Sequence, residues 1–373
     1  MTGAESQLGG IRVLDLGRFP PSAYCTRLLA QQGAEVCRVD APGSDPAMFG
    51  IGTGLGAAKR SIALDTRHPR RNEVLQKLCD WADVVVENSR PGDLDERGFG
   101  YRQASQEHPE LVWCSITGFG QDGPYALWPG HDLTYTAHSG LLGALESEMP
   151  WHPQMMLSVP IGAVMAVVGI VSALYSRHAT GRGCQLDISL SESTTWVLSG
   201  FDALINGGGS SIPASPDRRL YRCGDDRYVS VAAADPRSWD ALCTGLGLDD
   251  LAKRRIPMDE WQETTRRLTE VFSRRSAAEW VAELGPRGAA VGPVNFGSDL
   301  LADPQVMSRR SLVDVEGVVV PANPIRTGSD PGSNDQGPVG APVVGEHTRF
   351  VLLAAGFSSP EVDRLVAEAV VSE

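Results

Sequence analysis

Moving a proton near neutral pH calls for a titratable side chain beside groups that tolerate a change of charge, and one segment of this sequence offers both. In Tyr125-Ala126-Leu127-Trp128-Pro129-Gly130-His131-Asp132-Leu133 a histidine and an aspartate follow a Pro-Gly break and open a run with helical spacing. A histidine can carry a proton there, and a helix start supplies free N–H groups and partial positive charge. The alternative is an ordinary polar cap. Just upstream, Thr117-Gly118-Phe119-Gly120-Gln121-Asp122-Gly123-Pro124 is either a plain turn or a loop whose glycines, Gly118 and Gly120, let the backbone approach a ligand closely.

These segments need a frame. The apolar runs 11–17, 34–40, 82–88 and 111–118 read as strands buried on both faces, and the segments between the first three read as helices. The fold class expected is α/β, with a Rossmann-like open parallel sheet. Ligands in such sheets sit at the carboxyl ends of the strands, here the loops after residues 17, 40, 88 and 117. Residues 207–217 read as a linker. A hairpin over 221–236, turning at Gly224-Asp225, and helices to about 285 make a smaller α+β domain. The expected division is a large domain over 1–206, a small domain over 207–325 and a C-terminal segment, 326–373, that returns to the large one. Extended chain from 311 and a terminal helix over 359–371 complete the pattern.

Composition bounds the partners. With 373 residues, 42% hydrophobic and 21% charged, the chain can bury a large core, and a formal net charge of -13 argues against nucleic acid or an anionic membrane surface. Seven cysteines with no C-x-x-C pair suggest neither a disulfide framework nor a zinc site, so no metal is expected. A reducing cytoplasm fits. The N-terminus does not have the pattern of a signal peptide, and the apolar stretch 155–175, broken by Ser158, Pro160 and Gly162, reads as a buried helix.

Several blocks, in order along nearly the whole chain, resemble the class III CoA-transferase (CaiB/BaiF) family, and most closely its α-methylacyl-CoA racemase branch. They include GGIRVLDLGRFPPSAYCTRLLAQQGAEVCRVDAPG, KRSIALDTRHP, WADVVVENSRPGDLDERGFGY, LVWCSITGFGQDGPY, SALYSRHATGRGCQLDISL and GEHTRFVLL. The resemblance implies an acyl-CoA substrate and an interlocked homodimer of two ring-shaped subunits. Arg38, Lys59, Arg60 and Arg90, with Asn88 and the glycines Gly118 and Gly120, become candidates for binding coenzyme A, because guanidinium and ammonium groups suit its phosphates. His131 would move a proton at the acyl α-carbon, and the helix start at Asp132 would hold the thioester oxygen as an enolate. Asp235, before Pro236 in Val229–Trp239, would support His131, or else simply cap its helix.

One departure matters. The family's essential aspartate lies about ten residues before a G-I-x-x-A-L core, which here is Gly169–Leu174, and Ser158 or Val159 occupies its place. Neither can form the mixed anhydride of CoA transfer, and a serine is a poor proton carrier at neutral pH. The leading expectation is therefore α-proton chemistry on an acyl-CoA thioester, isomerisation or epimerisation, using His131. The alternatives are a CoA transferase whose carboxylate is relocated to Glu146 or Glu148, and an acyl-CoA-binding protein without catalysis. His138 and His152 are lesser candidates.

Overall fold

The structure, a computed structural model, describes residues 6–145, 152–207, 214–326 and 340–373. The chain forms two compact units, Met1–Gly207 with Ser308–Glu373, and Gly208–Met307.

The large unit is built on a seven-stranded sheet of β1 (Arg12–Asp15), β2 (Glu35–Asp40), β3 (Arg60–Leu64), β4 (Val84–Glu87), β5 (Val112–Thr117), β6 (Gln185–Ser189) and β7 (Val371–Ser372). Their order across the sheet is β7-β3-β2-β1-β4-β5-β6, and every pairing is parallel except β7 with β3. The parallel α/β sheet expected from the valine-rich runs is what forms: β4 and β5 are buried along their whole length. Two segments that sequence does not mark as strands, β3 and β6, join it. The C-terminus also differs from expectation. The terminal helix stops at Ala367, Ala369 takes a left-handed φ of 55°, and Val370 and Val371 turn into the core beside β3.

Four helices matter for the site: α1 (Pro20–Gln31), α2 (Arg71–Trp81), α3 (Asp132–His138) and α4 (Ser158–Thr180). Among the described residues α4 alone is long and apolar enough to cross a membrane. Here its Val159, Ala163, Ala166, Val167 and Ile170 pack into the core made by α1 and the sheet. Val164, Val168, Val171 and Tyr175, spaced as a stripe along another face, stay exposed.

The small unit carries an antiparallel sheet of Arg218–Arg222, Tyr228–Ala232 and Val291–Pro293 under the helices Pro236–Gly245, Trp261–Phe272 and Ala277–Leu284. Its core stacks Tyr221 on Phe272, with Trp280 edge-on. The unit ends at Met307 and not at 325. The hairpin of Leu312–Val315 with Val318–Pro321 belongs to the large unit, where Val315 and Val320 bury themselves against Ala57. All seven cysteines are free thiols, and all but Cys184 are buried.

Candidate active site

The loop that leaves β5 reaches His131 through a cluster of rings. Phe119 meets Tyr125, Tyr135 and His138 edge-on, with centroids 5.6, 5.2 and 5.2 Å away, and Tyr125 stacks on Trp128 at 4.0 Å. Tyr135 also donates its hydroxyl to the Gly130 carbonyl at 2.6 Å. A Cβ at Gly118 would stand 2.1 Å from the Tyr135 ring, and one at Gly130 would stand 2.6 Å away. Gly118 is thus needed to admit a tyrosine ring, a packing reason for the glycine that stands apart from any ligand. Gly120 is needed for its φ of +94°, and the loop is held there by the Gln121 N–H donating to Asp187.

His131 is the N-cap residue of α3, with extended backbone, an exposed side chain and no cap bond from that side chain. Its ring has no partner among the described residues. The first amide to close the helix is that of Thr134, which donates to the His131 carbonyl at 2.8 Å. The N–H groups of Asp132 and Leu133 therefore find no acceptor among the described residues, as a helix start without a side-chain cap leaves them. An unengaged imidazole thus stands next to two unengaged backbone donors.

Asp132 does something sequence did not reveal. Its carboxylate reaches across to the start of α4, accepting the Leu157 N–H at 2.9 Å on one oxygen and the Val159 N–H and the Ser158 hydroxyl, each at 2.8 Å, on the other. The Thr136 hydroxyl adds a longer contact at 3.3 Å. Asp132 therefore caps a helix that begins 26 residues later, placing a negative charge at its positive end. Ser158 is 0% exposed and spends its proton on Asp132, whereas Val159 lies in the apolar core. Of the two residues expected at the place of the family's carboxylate, Ser158 is the one that faces the α3 start.

The two lesser candidate histidines are engaged. His138 meets the Ser191 hydroxyl through Nδ1 at 2.6 Å, and His152 accepts the Gln154 N–H at 3.0 Å. Glu146 and Glu148 lie outside the described residues. Asp235, in the small unit, caps the helix Pro236–Gly245 by accepting from the Arg237 and Ser238 amides and the Ser238 hydroxyl, and the bonds from Ser238 hold its carboxyl below the usual value.

A cavity of about 560 Å³ opens at the carboxyl ends of β1 to β4. Leu16, Val39, Leu75 and Phe99 line it, and four arginines, Arg18, Arg67, Arg71 and Arg97, border it with no carboxylate partner among the described residues. Arg18 lies over the Phe49 ring, and Arg71 donates to the Arg97 carbonyl. The Asn88 side chain accepts the Arg18 N–H at 3.1 Å, joining the loops after β1 and β4. The expected loops after residues 17, 40 and 88 thus meet at a cavity, which the loop after 117 does not line, and three of the expected cations are spent elsewhere. Arg38 is 2% exposed and pairs with Asp40 at 2.8 Å, and that carboxylate also accepts from Ser61. Lys59 lies beneath α1, its ammonium bonded to Thr26 Oγ1 at 2.6 Å and to the Ala23 carbonyl at 3.1 Å, and 3.4 Å from Asp15. Arg60 pairs with Glu35 and stacks over Phe350 at 4.4 Å. Arg90 alone of the four stays exposed.

The parallel sheet with a cavity at its carboxyl edge defines an α/β ligand-binding fold. The chain belongs to CoA-transferase family III, whose sequence profile matches residues 8–348. It is 31% identical over 386 residues to the α-methylacyl-CoA racemase of Homo sapiens, covering 98% of this chain and 97% of that one. It is also 31% identical over 404 residues to a succinyl-CoA:(R)-benzylsuccinate CoA-transferase subunit of Thauera aromatica, covering 95% and 96%. Among solved structures, a CaiB/BaiF family protein from Brucella suis superposes with a TM-score of 0.79 at 26% identity, covering 94% of this chain and 99% of that one. A hypothetical protein from Mycobacterium tuberculosis shares the fold with a TM-score of 0.82 at 22% identity, covering 93% and 99%.

Proposed function

We propose that this protein binds an acyl-CoA thioester and moves the proton on its α-carbon. The observation that carries the reading is the α3 start, where the unengaged His131 imidazole adjoins the free N–H groups of Asp132 and Leu133. Imidazole takes the α-proton, the electron pair moves onto the thioester oxygen as an enolate, and the two amides bind that oxyanion. The four arginines at the sheet edge suit the phosphates of coenzyme A, and the apolar floor suits its adenine. The kinship with an α-methylacyl-CoA racemase supports the same chemistry, whereas CoA transfer through a mixed anhydride has no free carboxylate at Asp132 or Ser158.

The acyl group on this reading is uncharged. Residues 103–176 include no lysine or arginine, and Leu127, Trp128 and Leu133 expose apolar surface around His131. A dicarboxylate would find no cation in this segment. The test is to incubate 2-methylbutanoyl-CoA and succinyl-CoA with the protein in heavy water and follow their α-protons by NMR. Deuterium is expected to enter the first far faster than the second, and no exchange above the protein-free rate in either refutes the reading.

We also propose that the chain works as a homodimer. The apolar stripe Val164, Val168, Val171 and Tyr175 on α4 supports this, since monomers rarely leave so ordered an apolar face in water. Sedimentation velocity is expected to give twice the chain mass, and Val168→Glu to shift it toward the single-chain value. A wild-type protein that sediments as one chain contradicts it.

A further inference from the structure

We propose that the site works with one base, so that the proton leaves and returns on the same face of the α-carbon and the configuration there is retained. The inference rests on the proton-transfer reading above and specifies its stereochemical course. Inversion requires a second proton carrier on the opposite face, and among the described residues Asp132, Tyr135, His138 and Ser158 each already hold a partner.

The Ser158 hydroxyl is fully buried and donates to Asp132. The Asp132 carboxylate accepts from Leu157, Val159, Ser158 and Thr136, so both its oxygens are engaged in joining two helices. Tyr135 donates to the Gly130 carbonyl, and His138 is bonded to Ser191 and ringed by Phe119 and Tyr125. Among the described titratable groups of α3 and the start of α4, only the exposed His131 ring is unengaged. Ser158 is then a positioning residue. Its bond to Asp132 ties the start of α4 to the start of α3, and so fixes the backbone that presents His131 and the two free amides.

The step balances without a co-reactant. The C–H bond breaks, the proton goes to the imidazole and the electron pair to the thioester oxygen. The imidazolium exchanges with solvent because the ring is exposed. The enolate then collapses and takes a deuteron from the same ring.

Separate samples of (2R)- and (2S)-2-methylbutanoyl-CoA in heavy water test this, with NMR reading α-deuteration and chiral chromatography of the hydrolysed acid reading configuration. Deuterium is expected to enter one epimer, with inversion slower than exchange by about 10²-fold or more, since a positioned second acid or base contributes at least that. Ser158→Ala is expected to slow exchange while leaving its stereochemistry and the thioester KM unchanged. Inversion at the rate of exchange, or exchange of both epimers at similar rates, overturns the one-base course while leaving proton transfer standing. A Ser158→Ala protein that changes the ratio of inversion to exchange overturns the assignment of Ser158. Absence of exchange in both epimers removes the proton-transfer reading, and this inference with it.

Discussion

His131→Ala is expected to lower the rate of α-proton exchange by about 10²- to 10⁴-fold, the usual contribution of a positioned general base. The KM for the thioester should stay within about threefold, because the imidazole acts on the reacting proton and binding depends on the rest of the ligand. Stability separates this loss from misfolding. The His131 side chain is exposed, and α3 starts without a side-chain cap from it. Unfolding free energy should therefore move by no more than about 0.5 kcal/mol, as for surface positions away from special contacts. Equal exchange in the variant and the wild type removes His131 from the chemistry. A large loss of stability instead assigns the histidine a structural role that its contacts do not display.

The juxtaposition at the α3 start also shows what a serine at position 158 does for the local architecture. A carboxylate at position 158 would stand beside the Asp132 carboxylate, and two such groups in contact repel unless they share a proton. A serine removes the repulsion and adds a donor, so Asp132 is free to serve as the cap of α4. A serine at 158, in place of a carboxylate, thus favours a firm joint between two helices over a second ionisable group. That arrangement suits chemistry on one face better than covalent acyl transfer.

Much of the frame was legible because it depends on local pattern. Runs such as Ala82–Asn88 and Leu111–Gly118 have the apolar composition of strands covered on both faces, and the Pro129-Gly130 break before His131 marks a helix start. What stayed hidden depends on pairings distant in sequence. Nothing near Asp132 announces that its carboxylate meets amides at 157 and 159. Gly118 looked like a ligand-loop glycine because the ring that needs it, Tyr135, lies farther along the chain. Cations misled most. A basic residue near a strand reads the same whether it faces a ligand or a buried acid, so Arg38 and Lys59 looked like phosphate ligands. The arginines that border the cavity, Arg18, Arg67, Arg71 and Arg97, stand in loops and helix ends with no motif of their own. The hairpin at 312–321 went to the wrong unit for a similar reason: its partner, Ala57, lies some 250 residues earlier.

The largest expected effect on stability is at Lys59. Its ammonium and the Asp15 carboxylate are both 0% exposed, and Asp15 also accepts the Gly17 N–H at 3.0 Å and the Thr26 hydroxyl at 2.6 Å. Lys59→Met keeps the length of the side chain but leaves Asp15 charged and without its cation, a change that costs about 3–5 kcal/mol when one partner of a buried pair is removed. Denaturant unfolding at pH 7 measures it, and a loss under about 1 kcal/mol shows the pair to be dispensable. The sign of the pH dependence is a second check. Burial pushes the Lys59 amine down to about 8 from an ordinary 10.5, with Asp15 opposing the shift. Between those values the unfolded chain binds the proton that the folded one has released, so this residue's contribution is fully present above 10.5 and is lost as pH falls through about 8. The stability difference between wild type and Lys59→Met should therefore widen as pH rises across that window. Because the comparison subtracts the variant, the buried thiols cancel. Their raised values, as at Cys79 and Cys243, make the fold weaken with alkali in both proteins alike. A difference that instead narrows with rising pH places the proton on Lys59 throughout, and the Asp15 attraction then outweighs the cost of burial.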